Sequence, residues 1–242
     1  MQILKCRFLP LALLVASFGF VACEVYYIVT SRNSPCFEDS CLTLSQFAAN
    51  STSYIDTNTT LVITGGSHNL DVGISVLNVD EFSMLSMNNT GSDSVITCNE
   101  HANFTFYNVH HIYISGLTFI GCDDTRVESV DKLTIEGSRF LGQDNSGTPL
   151  VIVECDTVNM TETIFLSNEM GRYQHEVRYL QATLDYPESF SARVGGALIV
   201  THSTLTIDSC QFEGNGANIG GCLLYTSPSP RDATLSRMPS SA

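Results

Sequence analysis

The sequence predicts an all-β chain wound into a parallel β-helix with a short N-terminal cap. Four segments that align without gaps alternate apolar and polar residues with the period of two typical of strands: residues 112–122, 133–143, 158–168 and 205–215. Each places a phenylalanine at the same position, and these phenylalanines lie 21, 25 and 47 residues apart. One strand signature in roughly 20 to 25 residues is typical of a solenoid, because each unit buries its apolar face only against its neighbours.

The repeated phenylalanines are predicted to form one stack inside the solenoid: Phe119, Phe140, Phe165 and Phe212. Successive coils of a parallel β-helix repeat at the strand spacing of about 4.8 Å, so equivalent side chains meet. The last interval is about double the others. Residues 166–194 therefore form either one degenerate coil or a looped-out insertion.

Three short motifs carry a family resemblance: FLSN (165–168), FEGN (212–215) and GGAL (195–198). They resemble the FxxN and GGA[ILV] repeats of polymorphic outer-membrane-protein-like chains. Phe119 and Phe140 depart from the pattern, since neither is followed by xxN. The resemblance implies a right-handed parallel β-helix and, because bacterial members are adhesins, an adhesive role. Similar repeats also occur in secreted metazoan proteins.

The first 23 residues are predicted to be a secretory signal. Lys5 and Arg7 precede an apolar run over residues 8–22, which is short for a membrane span. We expect cleavage after Cys23. The alternative is a bacterial lipoprotein in which Cys23 carries the lipid.

Residues 222–242 abandon the repeat directly after Gly221. Back-translated, the segment resembles a transposon-type sequencing adapter read as coding sequence. The alternative is a disordered linker rich in serine and proline. We expect the native chain to continue past Gly221 with further coils.

Between these ends, residues 24–59 are predicted to form the cap, with a strand over 24–30 and a helix over 42–49. The β-helix is predicted over 60–221. A cap is expected because an uncovered terminal coil would expose core side chains and a sheet edge.

The composition is acidic, with 11 basic and 25 acidic residues and a formal charge of −14. Four of the basic residues and one acidic residue lie in the two predicted terminal segments, which leaves seven, 24 and −17 for residues 24–221. Such a chain repels nucleic acid and anionic membrane surfaces.

Six of the nine cysteines lie outside the predicted terminal segments. An even number in an oxidising compartment predicts disulfides. The expected pairs are Cys36–Cys41, Cys98–Cys122 and, by exclusion only, Cys155–Cys210. The first pair brackets a short loop. The second is separated by 24 residues, about one coil, which stacks its Cα atoms at a distance that a disulfide accepts.

Five asparagines begin N-x-S/T sequons: Asn50, Asn58, Asn88, Asn103 and Asn159. In a secreted eukaryotic chain several would carry glycans and face solvent. Chance is the alternative, because this composition generates sequons freely. The repeat places Asn159 between inward Val158 and Met160, so its side chain is predicted to point outward.

The outward positions beside the inner residues offer no close acid pair. Glu136 and Asp208 are predicted to lie two or three coils apart, roughly 10 to 14 Å, whereas glycosidase carboxylates lie about 5 to 9.5 Å apart. His110 and His111 are adjacent on a strand and are expected on opposite faces, so they cannot share a metal ion. The sequence predicts no catalytic residue, metal or cofactor.

Residues 166–194 concentrate cations and aromatic side chains in an otherwise acidic chain: Arg172, Tyr173, His175, Arg178 and Tyr179. Loops on rigid scaffolds commonly bind ligands, so these residues are a predicted binding loop. A disordered insertion is the alternative.

These patterns predict a secreted or cell-surface β-helix module without enzymatic activity, for structure, adhesion or recognition of extracellular glycans or cell-surface proteins. The alternative is a carbohydrate-active enzyme, a polysaccharide lyase or glycosidase, with its site on the lateral face. The acidic charge argues against nucleic acid as a partner, and a membrane anchor is expected only beyond Gly221.

Overall fold

The computed structural model of the chain describes residues 3–6, 23–29, 42–87, 93–99, 102–122, 125–142, 148–167, 196–216 and 223–226. These residues are all-β apart from two short helices, α1 (Leu44–Ala49) and α2 (Ser51–Tyr54). Neither helix is long and apolar enough to cross a membrane. The strands are β1 (Ile3–Cys6), β2 (Cys23–Val29), β3 (Asn58–Thr64), β4 (Gly66–Leu70), β5 (Ile74–Met87), β6 (Ser94–Cys98), β7 (Phe104–Ser115), β8 (Leu117–Ile120), β9 (Thr125–Glu136), β10 (Arg139–Leu141), β11 (Leu150–Thr161), β12 (Ile164–Leu166), β13 (Leu198–Thr201), β14 (Thr204–Asp208), β15 (Gln211–Glu213) and β16 (Leu223–Thr226).

The strands form two sheets, and the chain passes back and forth between them. The ten-stranded sheet has the order β1-β2-β3-β5-β7-β9-β11-β13-β16, with β14 also paired to β11. The six-stranded sheet has the order β15-β12-β10-β8-β6-β4. Pairing is parallel throughout the described strands except between β1 and β2.

This alternation builds six successive layers. They are layer one (β3, β4), layer two (β5, β6), layer three (β7, β8), layer four (β9, β10), layer five (β11, β12) and layer six (β13, β14, β15). β2 pairs in parallel with β3, so the ladder starts one strand earlier than the sequence predicts. β1 lies in the predicted signal segment and β16 in the predicted adapter segment, and both of those assignments stay predictions.

The strand register aligns equivalent apolar residues of successive layers, as the repeat predicts. One column contains Ile112, Leu133, Val158 and Leu205, and the next contains Ile114, Ile135, Met160 and Ile207. The predicted phenylalanine stack is confirmed as well. Ring centroids lie 5.0 Å apart from Phe119 to Phe140, 4.9 Å from Phe140 to Phe165 and 5.0 Å from Phe165 to Phe212, with the rings nearly parallel.

The same column continues below the stack with different side chains. Phe119 is the register partner of Ile96, and Ile96 is the partner of His68. The His68 ring is buried, and its Nε2 lies 2.8 Å from the Thr64 carbonyl oxygen. Its Nδ1 has no hydrogen-bond partner within the described residues. Burial lowers the pKa of His68 below its ordinary value, with the contact to the Thr64 carbonyl opposing.

The chain turns at left-handed residues that also align in columns. The first corner has positive φ at Asn78, Asn108, Ser129, Glu154 and His202. The second has it at Gly116, Gly137, Glu162 and Ser209, and the third at Gly121, Ser167 and Gly214. Six of these twelve residues are glycine or asparagine, the types that adopt this conformation most readily.

The predicted cap helix is confirmed, although it begins two residues later than predicted. Thr43 and Gln46 close α1 with a reciprocal capping box. Leu44, Phe47 and Ala48 are buried in the same hydrophobic cluster as the strands. The helix therefore covers apolar residues at the layer-one end of the stack.

Layers five and six are directly adjacent. β11 pairs with β13 and β14, and β12 pairs with β15, so that Phe165 faces Phe212 without an intervening ring. Of the two interpretations of the long interval, the register excludes a degenerate coil between these layers. Residues 168–195, between β12 and β13, lie outside the described part of the chain.

The predicted Cys98–Cys122 disulfide is present and joins layer two to layer three, with its Cα atoms 4.9 Å apart. The Cys155–Cys210 pairing is wrong, because both are free thiols. Cys210 lies beside the Met160 carbonyl, five residues along β11 from Cys155. Five residues of strand span roughly 16 Å, far more than the distance across a disulfide. Cys36 and Cys41 lie outside the described residues.

Candidate functional site

The candidate site is an outward surface of the ten-stranded sheet, which we call the polar face. It consists of two register columns: Tyr113, Thr134, Asn159 and Thr206, and Ser115, Glu136, Thr161 and Asp208. Both columns are those the repeat predicts. The residues that alternate with them are buried in layers three to five, which fixes the outward direction. Three layer intervals of about 4.8 Å give the face a length of about 14 Å.

Tyr113 and Glu136 are the two largest groups of the polar face, and they bond to each other. The Tyr113 hydroxyl donates a 2.7 Å hydrogen bond to Glu136 Oε2 of the next layer. This bond is the main reason that the pKa of Tyr113 is raised above its ordinary value, with Ser115 opposing. The phenol therefore stays protonated near neutral pH and presents its ring as a fixed, uncharged surface.

The two acids of the polar face are separated by one complete layer. Glu136 is the register partner of Thr161, and Thr161 is the partner of Asp208. Two intervals place the two backbone positions about 10 Å apart, slightly beyond the carboxylate spacing of glycosidases. The other six residues of the face carry hydroxyl or amide groups.

His110 and His111 lie beside the polar face at the first corner. The prediction that they point to opposite faces is wrong, because the alternation of buried and outward residues is interrupted at this corner. Val109 and Ile112 are buried, and the two histidines lie between them on the outside. Among the described residues, no group of histidine, cysteine, aspartate and glutamate is arranged to hold a metal ion.

The two histidines have different partners and opposite pKa shifts. His110 Nδ1 lies 2.6 Å from Asp131 Oδ2, and this hydrogen bond is the main cause that raises its pKa. Its Nε2 lies 3.8 Å from Asp80 Oδ1. Burial, and then the charge of Lys132, lower the pKa of His111, with Glu81 opposing.

The other outward side of the same sheet differs from the polar face. Leu77 and Tyr107 are register partners there and are about half exposed. In layers five and six three outward positions of this side, Val153, Ile199 and Thr201, are at most 3% exposed, and Val151 is partly buried. Because those positions are covered, this side is not open to a ligand over the same number of layers.

Four predicted glycosylation sites lie within the described residues. Asn50 donates to the Gln46 carbonyl at the end of α1, and Asn58 has a buried Oδ1 without a partner in the described part of the chain. Asn103 lies against Gly73, and Asn159 points outward on the polar face. Asn88 lies outside the described residues, as does the predicted binding loop, Arg172, Tyr173, His175, Arg178 and Tyr179.

No known protein family matches the chain, and no curated protein or solved structure is detectably similar to it. The geometry of the layers and the chemistry of their outer surfaces are therefore the basis for a functional proposal.

Proposed function

We propose that the chain is a secreted or cell-surface module, without enzymatic activity, whose polar face recognises extracellular glycans or proteins. The single observation that carries this proposal is the polar face itself. Its hydroxyl groups recur in register over four layers, on strands whose alternate residues are buried in layers three to five. Binding surfaces held by a rigid scaffold need little ordering when a ligand arrives.

The layers support a right-handed parallel β-helix as the architecture of this module. Each layer leaves the ten-stranded sheet, crosses to the six-stranded sheet and returns in parallel to the strand next to its start. Parallel crossovers of this kind are right-handed in about 98% of cases. Corner residues of left-handed conformation repeat at three positions in layers three, five and six, as expected for one winding repeated.

The chemistry of the polar face favours an uncharged ligand. Hydroxyl and amide groups both donate and accept hydrogen bonds, which suits the hydroxyl groups of a sugar or the edge of a polypeptide. The two acids of the face and the net charge of −14 repel anionic polymers. We therefore expect neutral glycans or neutral protein surfaces to bind in preference to glycosaminoglycans.

Secretion is the proposed location. The predicted signal over residues 1–23 directs a chain to an oxidising compartment. The Cys98–Cys122 disulfide is consistent with that destination, since disulfides persist mainly outside the cytosol. Nucleic acid is not a proposed partner, for the reason of charge given above.

A carbohydrate-active enzyme on the same face is the second candidate, and the Tyr113–Glu136 pair is the observation that favours it. A carboxylate beside a phenol occurs where protons are transferred. Against this role, hydrogen bonding to Glu136 raises the pKa of the phenol, which makes it a weaker acid and keeps it protonated near neutral pH, so that the phenolate is not available as a base. The only other acid of the face is about 10 Å away.

The two functions separate in one experiment on the full chain. The protein is incubated with neutral and acidic polysaccharides, and new reducing ends and unsaturated products are measured beside retention on a glycan and cell-surface array. We expect retention without turnover. Thr134→Arg should abolish retention, whereas Ser75→Arg, an exposed position on the other outward side, should leave it unchanged. Turnover that is lost in Glu136→Gln would establish the enzyme instead.

A further inference from the structure

The sequon at Asn159 is the one described sequon whose asparagine lies on the polar face. Asn159 points outward in β11, between buried Val158 and Met160. Its register neighbours in the adjacent layers are Thr134 and Thr206. Thr157 and Thr161 precede and follow it by two residues on the same strand. Its side chain is therefore surrounded by four short threonines.

The side-chain amide of Asn159 has fewer hydrogen bonds and close contacts to described residues than the amides of the other described sequons. Its side chain makes no hydrogen bond to another described residue. In contrast, Asn50 donates its amide to Gln46, Asn58 has its Oδ1 enclosed, and the Asn103 Oδ1 lies close to Gly73. A substituent on Nδ2 of Asn159 can leave the sheet without displacing a bonded neighbour.

We propose that Asn159 carries an N-linked glycan that covers the polar face, so that occupancy of this sequon controls access to it. The inference rests on the proposed function of the face, while attachment itself is measured independently. The glycan would be transferred while the chain is still unfolded, from an oligosaccharyl polyprenyl diphosphate. A bond forms between the anomeric carbon and Nδ2, the bond from that carbon to the diphosphate oxygen breaks, and the amide proton leaves with the diphosphate.

The position of the attachment explains why access would change. Asn159 belongs to the third of the four layers of the polar face, with register neighbours about 4.8 Å away on either side. A sugar on its Nδ2 lies over Thr134 and Thr206 and extends across the hydroxyl groups that would contact a ligand. The modification adds no charge at the amide, so its effect is steric.

Mass spectrometry and binding test the two parts of the proposal. The full chain is secreted from a eukaryotic cell, and the glycopeptide that contains Asn159 is measured before and after enzymatic release of N-glycans. We expect Asn159 to be occupied. Asn159→Gln and Thr161→Ala should both remove this glycan and raise retention on the array by about tenfold. Asn50→Gln, which removes a sequon in the cap and leaves the polar face intact, should be retained like the unchanged sequence.

The possible failures differ in what they overturn. An unoccupied Asn159 overturns the proposal and leaves the function of the polar face standing. Occupancy together with unchanged retention in both sequon variants overturns the covering role, provided that Thr134→Arg still abolishes retention. If Thr134→Arg also has no effect, the proposed function of the face fails, while the mass spectrum still establishes the modification.

Discussion

Layers three to six and layers one and two occupy the same interior column with different chemistry. In the later layers the column consists of four phenylalanine rings about 5 Å apart. In the earlier layers it consists of Ile96 and His68. The early layers compensate with directional contacts, such as the bond from the Ser94 hydroxyl to the Ile63 carbonyl and the disulfide of Cys98.

One strand register therefore accommodates different side chains in different layers. Stacked rings gain about 0.5 to 1.5 kcal/mol per pair beyond the burial of their area, and they need only apolar neighbours. A buried imidazole or hydroxyl needs a partner for each polar atom, or it destabilises the fold. We therefore expect the later layers to depend on ring contacts and the earlier layers on the covalent link and on pH.

Removal of one ring from the stack should have the largest effect. Phe140 is buried between two other rings, so Phe140→Ala should lower the free energy of unfolding by about 3 to 5 kcal/mol through lost packing and a cavity. Phe212→Ala is the matched control, because Phe212 is only partly buried. Denaturant unfolding should show a clearly smaller loss for the control. Equal losses of unfolding free energy in Phe140→Ala and Phe212→Ala would contradict the prediction that the ring between two others contributes more.

Removal of the disulfide should be the next largest effect, and it concerns the earlier layers. The double variant Cys98→Ala, Cys122→Ala should lose about 2 to 4 kcal/mol, because the closed loop of 24 residues no longer restrains the unfolded chain. Reductant should lower the unfolding midpoint of the unchanged sequence by more than that of the variant. Cys155→Ala, which removes a free thiol, should keep its sensitivity to reductant. If reductant does not lower the unfolding midpoint of the unchanged sequence, this prediction is contradicted.

Exchange of the early side chain for the late one should have a smaller, pH-dependent effect. The folded pKa of His68 is lowered by burial, so the unfolded chain binds the extra proton first. Its stabilising contribution is complete above about pH 6.5, the ordinary histidine pKa, and is lost as the pH falls below that value. We call the decrease in the free energy of unfolding below about pH 6.5 the acid limb. The acid limb should be smaller in His68→Phe.

His110→Gln is the matched control for that exchange. The pKa of His110 is raised, so its contribution is present at low pH and is lost as the pH rises through its folded pKa. The control should therefore retain the acid limb. If His68→Phe shows the same acid limb as the unchanged sequence, the link between burial of His68 and acid sensitivity is wrong.

The sequence predicts the later layers well because phenylalanine recurs at the same position of each repeat. Phe119, Phe140 and Phe165 fix the register of layers three to five, and both outward columns follow from it. The early continuation was not predicted, because His68 and Ile96 share no recognisable pattern with phenylalanine. Only the strand pairing aligns them.

The surface contacts were predicted less well because they depend on corners. The partners of Tyr113 and His110 lie one layer away, 23 and 21 residues along the chain. At the first corner the left-handed conformation occurs at asparagine, serine, glutamate and histidine, so no glycine signal marks it in the sequence. Strict alternation then gives the wrong direction for His110. The cysteines show a different limit, since Cys155 and Cys210 stand ten and two residues before their phenylalanines and were paired by exclusion alone, and both are free thiols.

A pair of double-mutant cycles tests the layered register most directly. Phe119, Phe140 and Phe165 are replaced by leucine singly and in pairs, and the free energy of unfolding is measured for each variant. The register predicts that adjacent Phe119 and Phe140 couple by about 0.5 to 1.5 kcal/mol, whereas Phe119 and Phe165, two layers apart, are additive within about 0.5 kcal/mol. Equal coupling in both pairs, or no coupling between the adjacent rings, would contradict the stack.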